Sequence, residues 1–179
     1  MRIVAGKYRG RVLKEFKGRD IRPTSDMARQ ALFNILGQTL DGTSFYDAFA
    51  GTGAIGLEAI SRGATDVVFT DNSQESIKLI KSNAEMLKET PTIIFGDAIS
   101  YLSNTKKSFD CIFIDPPYST DLGIKLLEII DKNVEVLAKD GIVVFETDKL
   151  MRFVLNNLQL IKEKRYGKAY FYFLGRGNE

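Results

Sequence analysis

The sequence predicts an α/β fold: a seven-stranded, mostly parallel sheet with helices on its faces, an antiparallel C-terminal hairpin and a small N-terminal β-hairpin and helix. Three features carry that prediction. Short apolar runs alternate with helix-period stretches from residue 43 onward, and glycines crowd the turn after the first of those runs. The last two runs flank Arg165-Tyr166-Gly167-Lys168, a hairpin signal.

Residues 1–14 (MRIVAGKYRGRVLK) read as a hairpin with Gly6 near its turn. Lys7, Arg9 and Arg11 alternate along one arm, which predicts three cations on one face. A linker over 15–23 leads to a helix at 26–37, capped by Thr24, Ser25 or Asp26. Core strands are expected at 43–47, 65–70, 92–95, 109–114 and 141–146, and the hairpin strands at 159–164 and 169–174. Helices fill the intervals at 54–62, 73–88, 97–103 and 121–138, with Asn72 and Glu75 as a capping pair. In the last, Leu126, Leu127, Ile130, Val134 and Leu137 form the stripe of a helix packed on a sheet. The tail 175–179 is expected to lie outside the fold. The division is a basic hairpin and linker over 1–24 and a catalytic domain over 25–179.

The chain has 179 residues, no histidine and one cysteine, Cys111. That composition removes Ser-His and Cys-His nucleophilic catalysis and zinc sites that need His or several Cys. The remaining chemistry is carboxylates, hydroxyls, backbone groups or a bound cofactor, with no metal expected. No apolar run reaches the ~20 residues of a membrane span, and the charged first residues do not suit a signal peptide. A cytoplasmic monomer is expected.

Charge is distributed unevenly. Residues 1–29 carry nine Lys or Arg against three acids, whereas 30–161 carry eleven basic and eighteen acidic residues. Residues 162–176 are basic again, with five cations against Glu163. Basic ends flanking an acidic body suit a polyanion partner, and equally a solvated surface without one.

Two motifs sit at strand ends. In Asp47-Ala-Phe-Ala-Gly51-Thr52-Gly53-Ala54-Ile55-Gly56, glycines let a ligand approach the backbone at a helix start. Gly51, Gly53 and Gly56 satisfy the dinucleotide pattern, with Asp71 about 20 residues on. Asp47 would repel a pyrophosphate and attract an ammonium or sulfonium. Asp71 can accept ribose hydroxyls or cap the next helix; Asp97, before Ala98, can approach an adenine amine or cap its own helix. The second motif, Asp115-Pro116-Pro117-Tyr118, ends the fourth core strand. A base amine is conjugated with its ring and becomes nucleophilic only when acceptors hold its N–H bonds. Asp115 supplies one acceptor and the Pro116 carbonyl another, the latter fixed by the proline pair. Tyr118 offers a face for an unstacked base.

Together these segments resemble the Rossmann-like amino methyltransferases. Met1–Lys14, Arg22-Pro23-Thr24-Ser25-Asp26, Ala31-Leu32-Phe33-Asn34 and Tyr166-Gly167-Lys168 resemble one branch, the bacterial small-subunit (16S) ribosomal RNA guanine-N2 methyltransferase family, RsmD. The resemblance spans essentially the whole chain. It implies S-adenosyl-L-methionine as cofactor, held by Asp47, Phe49, Gly51, Thr52, Gly53, Asp71, Asn72, Asp97, Ala98 and Asp115. It implies Asp115 to Tyr118 as the catalytic segment, with Arg22 and Thr24 edging it. It also implies contact with ribosomal RNA, in a small-subunit particle, through Arg2, Lys7, Arg9, Arg11 and Tyr118. The family usually has Glu where this chain has Gln30, Arg-Val where it has Met27-Ala28, and Ser at Thr52. Competing readings are an adenine-N6 methyltransferase, a nicotinamide-dependent oxidoreductase and an inert RNA-binding module.

Overall fold

The computed structural model describes residues 1–18, 26–37 and 39–178. Seven strands form one sheet: β1 (Ser44–Asp47), β2 (Asp66–Asp71), β3 (Thr92–Phe95), β4 (Phe109–Ile114), β5 (Leu137–Thr147), β6 (Leu158–Tyr166) and β7 (Ala169–Arg176). Their order is β3-β2-β1-β4-β5-β7-β6. The first five strands run parallel, and β7 pairs antiparallel with both β5 and β6. The chain starts at β1, moves outward to β3, and returns to pair β4 on the other side of β1. A crevice opens at such a reversal, outside the carboxyl ends of the strands.

Both faces are covered because strand residues alternate. Phe45, Val67, Phe69, Cys111, Phe113, Phe171 and Phe173 face one cluster, beneath α1 (Asp26–Leu36), α2 (Ala54–Ser61) and α3 (Gln74–Met86). Tyr46, Val68, Ile112, Ile114, Val143, Tyr172 and Leu174 face the other, with α4 (Ala98–Asn104) and α5 (Leu122–Lys132). All eight residues of α2 are buried. Its approach depends on Gly56, where a Cβ would lie 2.2 Å from the Phe69 ring.

The structure departs from expectation in four places. The N-terminal hairpin reduces to a single bridge between Arg2 and Val12, with residues 5–10 in bends and turns. Ile3, Gly10 and Leu13 still donate between the arms, but the N–H groups of the tip bond α2: Val4 and Ala5 donate to the Glu58 carboxylate, Lys7 to the Ser61 carbonyl and Tyr8 to the Ser61 hydroxyl. Gly6, at φ +83°, is pressed so close that a Cβ would sit 1.8 Å from the Ser61 carbonyl oxygen. Lys7, Arg9 and Arg11 therefore do not share one strand. Second, the cap of α3 is Ser73, which accepts from Ser76, rather than Asn72 with Glu75. Third, α5 ends at Lys132; Val134–Val136 form a 3-10 turn and Leu137 already belongs to β5. Fourth, β7 continues through Gly175 and Arg176, within the predicted tail. Thr24 and Ser25, two of the suggested caps of α1, lie outside the described residues, and Asp26 is its first residue.

Candidate active site

A cleft of about 540 Å³ lies outside the carboxyl ends of β1 to β4. Its floor begins at the β1–α2 turn. Gly51 and Gly53 adopt φ values of +56° and +79°, and the Gly53 N–H closes the turn onto the Ala50 carbonyl at 2.8 Å. Asp47 lies under this turn, 2% exposed, and accepts the Gly56 N–H at 3.1 Å. Burial, and secondarily Asp71, push the Asp47 carboxyl up to about 7 against the pull of the Gly56 bond.

Asp71 ends β2 and reaches across the turn. One carboxylate oxygen accepts the Gly51 N–H and the other accepts the Ser73 N–H, both at 2.9 Å. Asp97 caps α4 by accepting from Ile99 and Ser100, so its cap role is realised while it also lines the cleft. Asp115, Pro116, Pro117 and Tyr118 form the facing wall. Tyr118 is 41% exposed. The Asp115 side chain hydrogen-bonds Glu146, the next residue along the parallel β4–β5 register after Ile114 and Phe145. Burial, then Glu146 and Asp47, raise the Asp115 carboxyl well above the usual range. A smaller recess of about 40 Å³ shares the Pro116–Tyr118 wall and is also lined by Phe145 and Glu146.

Of the residues predicted from sequence, Phe49, Gly51, Asp71, Asn72, Asp97, Ala98 and Asp115 to Tyr118 converge on the cleft. Asp47, Thr52 and Gly53 are not among its lining residues. They shape the turn: the Thr52 carbonyl accepts from Asn83, and Gly53 backs onto Ile80. The N-terminal cations lie away from the cleft lining and differ among themselves. Arg2 donates to the Gly10 carbonyl, and Lys7 pairs with Glu89 at 2.6 Å. Arg9 and Arg11 are exposed, whereas Arg22 and Thr24 lie outside the described residues. Sequence reasoning missed Ala48, Leu122 and Glu146. For Glu146 a signal existed: a carboxylate ends the run Ile142-Val-Val-Phe-Glu146 as Asp115 ends its own strand.

The cleft is suited to a ligand with hydroxyls and positive charge. Carboxylates at the ends of β2 and β3 line one flank and Asp115 the other, and among the described residues no lysine or arginine lines it to bind a pyrophosphate. Among the described residues, no group of three or more His, Cys, Asp or Glu could hold a metal ion. No helix among them is long and apolar enough to cross a membrane.

Comparison with known proteins agrees with this geometry. The family model described as Conserved hypothetical protein 95 matches residues 1–175. A Bacillus subtilis (strain 168) protein named "Putative rRNA methyltransferase YlbH" is 34% identical, over 93% of this chain and 94% of that one. The "Ribosomal RNA small subunit methyltransferase D" of Haemophilus influenzae is 31% identical, over 93% of this chain and 89% of that protein. Among solved structures, "Putative methyltransferase yhhF from Escherichia coli" superposes with a TM-score of 0.87 at 27% identity, covering 98% of this chain and 97% of that chain.

Proposed function

The chain belongs to the RsmD family, whose model is described as Conserved hypothetical protein 95, and from that premise we propose that it transfers a methyl group from S-adenosyl-L-methionine to the exocyclic N2 amine of a guanine in 16S ribosomal RNA. One observation carries the reading: Asp115, Pro116, Pro117 and Tyr118 form one wall of a cleft whose other flank holds Asp71 and Asp97. The donor set fits the cofactor. Asp71 and Asn72 would hold its ribose, Asp97 and Ala98 its adenine, and Phe49 and Gly51 its methionine part, with the Asp47 carboxyl buried beneath them. When bound, the cofactor supplies an electrophilic methyl group.

The protein's part is orientation and electrostatics. The Asp115 carboxyl accepts one N–H of the amine and the Pro116 carbonyl accepts the other, so the nitrogen lone pair faces away from both acceptors and into the cleft. As the nitrogen gains its new bond it loses one N–H proton. The Asp115 oxygen that accepts that N–H is placed to receive it. Tyr118 offers its ring to the unstacked base. The relatives' names support ribosomal RNA as the substrate. On this reading the enzyme works in the cytoplasm as a monomer, on a small-subunit particle, with the basic segment 1–24 touching RNA.

Calorimetric titration separates this reading from a nicotinamide enzyme. S-adenosyl-L-methionine or its demethylated product should bind and NAD should not. Binding of NAD with none of either methionine compound would overturn the proposal.

A further inference from the structure

We infer that Glu146 is a specificity-determining residue, an acceptor for the N1–H of guanine placed beside the Asp115 that takes the N2 amine. The inference rests on the methyl-transfer reading above. Its foundation is geometry. Strands β4 and β5 are parallel and in register at Ile114 and Phe145, so Asp115 and Glu146 stand one step further along adjacent strands. Neighbouring strands lie about 4.8 Å apart, within reach of a carboxyl–carboxyl bond, and the two side chains make one. Glu146 is 4% exposed and lines the recess that shares Pro116, Pro117 and Tyr118 with the large cleft.

Two carboxyl groups bond each other only by sharing a proton, as in other close carboxyl pairs. That proton is held between them. A carboxylate has about four lone-pair sites, so the shared proton leaves acceptor capacity on both residues. The pair therefore presents acceptors, and no donor, to the edge of a base at this wall.

Only guanine among the common bases matches that surface. Its N2 amine adjoins N1–H, so two neighbouring donors meet two neighbouring carboxyls. The amines of adenine and cytosine adjoin a ring nitrogen that is itself an acceptor. Such a base would set lone pair against lone pair at Glu146 or force the shared proton out of its bond. The Asp-Pro-Pro-Tyr segment serves amines generally; Glu146 makes the choice among them.

The test uses 16S RNA in which the acceptor guanine, located by mapping the wild-type product, is replaced by 2-aminopurine in a ligated strand. That base keeps the 2-amino group and has an acceptor at N1. Wild-type protein should prefer guanine by at least ~100-fold in kcat/KM, as sites that hydrogen-bond a substrate N–H reject analogues lacking it. Glu146→Gln can keep a bond to Asp115 and offers an N–H to N1 of the analogue. It should narrow the preference at least ~10-fold, mostly by gaining activity on 2-aminopurine. Glu146→Ala should narrow it from the other side, by losing activity on guanine. S-adenosyl-L-methionine affinity, measured alongside, should be unchanged in both variants. An unaltered preference in a variant that still binds cofactor would overturn the role of Glu146 and leave the methyl-transfer reading standing. Absence of guanine methylation by wild-type protein would overturn both.

Discussion

Asp47 is a buried carboxyl, 2% exposed, that accepts the Gly56 N–H. Its sequence position suggested a partner for a cation in the cleft, and the structure puts it below the glycine turn, behind the backbone. Burial raises it from 3.8 to about 7, so the folded state binds a proton that the unfolded chain releases. Its contribution to stability is full below pH 4 and is lost as pH rises through about 7. Shifting a carboxyl that far corresponds to roughly 4 kcal/mol. Asp47→Asn keeps an acceptor for Gly56 and removes the ionisation. Urea unfolding from pH 4 to pH 8 should show the wild type losing stability relative to the variant by that order. Parallel pH profiles would mean that Asp47 titrates as an ordinary carboxyl. Asp115 was legible in sequence because a strand end, two prolines and a tyrosine coincide; Glu146 ends an apolar run in the same way, but its place beside Asp115 was not legible, because that depends on which strand lies beside β4.

The N-terminal segment is the element where sequence and structure differ most. Period-2 alternation suggested a hairpin, and the docking partner that overrides it, α2, lies more than fifty residues away. Glu58 is fully buried, pairs with Arg62 at 3.0 Å and accepts two N–H groups from the segment, so a charged side chain fixes a backbone that a strand would otherwise hold. This changes which cations are available to RNA. Lys7 is engaged with Glu89, while Arg9 and Arg11 are exposed. Each phosphate neutralised adds about −0.7 to −0.9 to the slope of log affinity against log salt. The Arg9→Ala, Arg11→Ala double variant should flatten that slope by about 1.4 to 1.8. Lys7→Ala should change it less, and neither should alter cofactor affinity. An unchanged slope in the double variant would remove this segment from the RNA interface. The end of α5 failed for a related reason. Val134 and Leu137 stay on the apolar stripe, but Asn133, at φ −123° and ψ 69°, breaks the helix, so the same spacing serves a turn and a strand.

At the scale of the whole molecule, strand–helix alternation made the parallel sheet and its closing hairpin readable from sequence. The lateral order β3-β2-β1-β4-β5-β7-β6 was not readable, because spacing along the chain carries no information about which strands lie side by side. That order turns separate motifs into a site. Reversal at β1 brings Gly51, Asp71 and Asp97 opposite Asp115 across one cleft, and the β4–β5 pairing adds Glu146. The most direct test of the resulting account is nucleoside analysis of small subunits from a strain lacking this protein, after incubation with it and S-adenosyl-L-methionine. N2-methylguanosine should form at one site. Asp115→Ala should still bind cofactor while its turnover falls by at least ~100-fold, the scale of removing one hydrogen-bonding group from a transition state. Formation of N6-methyladenosine instead, or full methylation by Asp115→Ala, would contradict it.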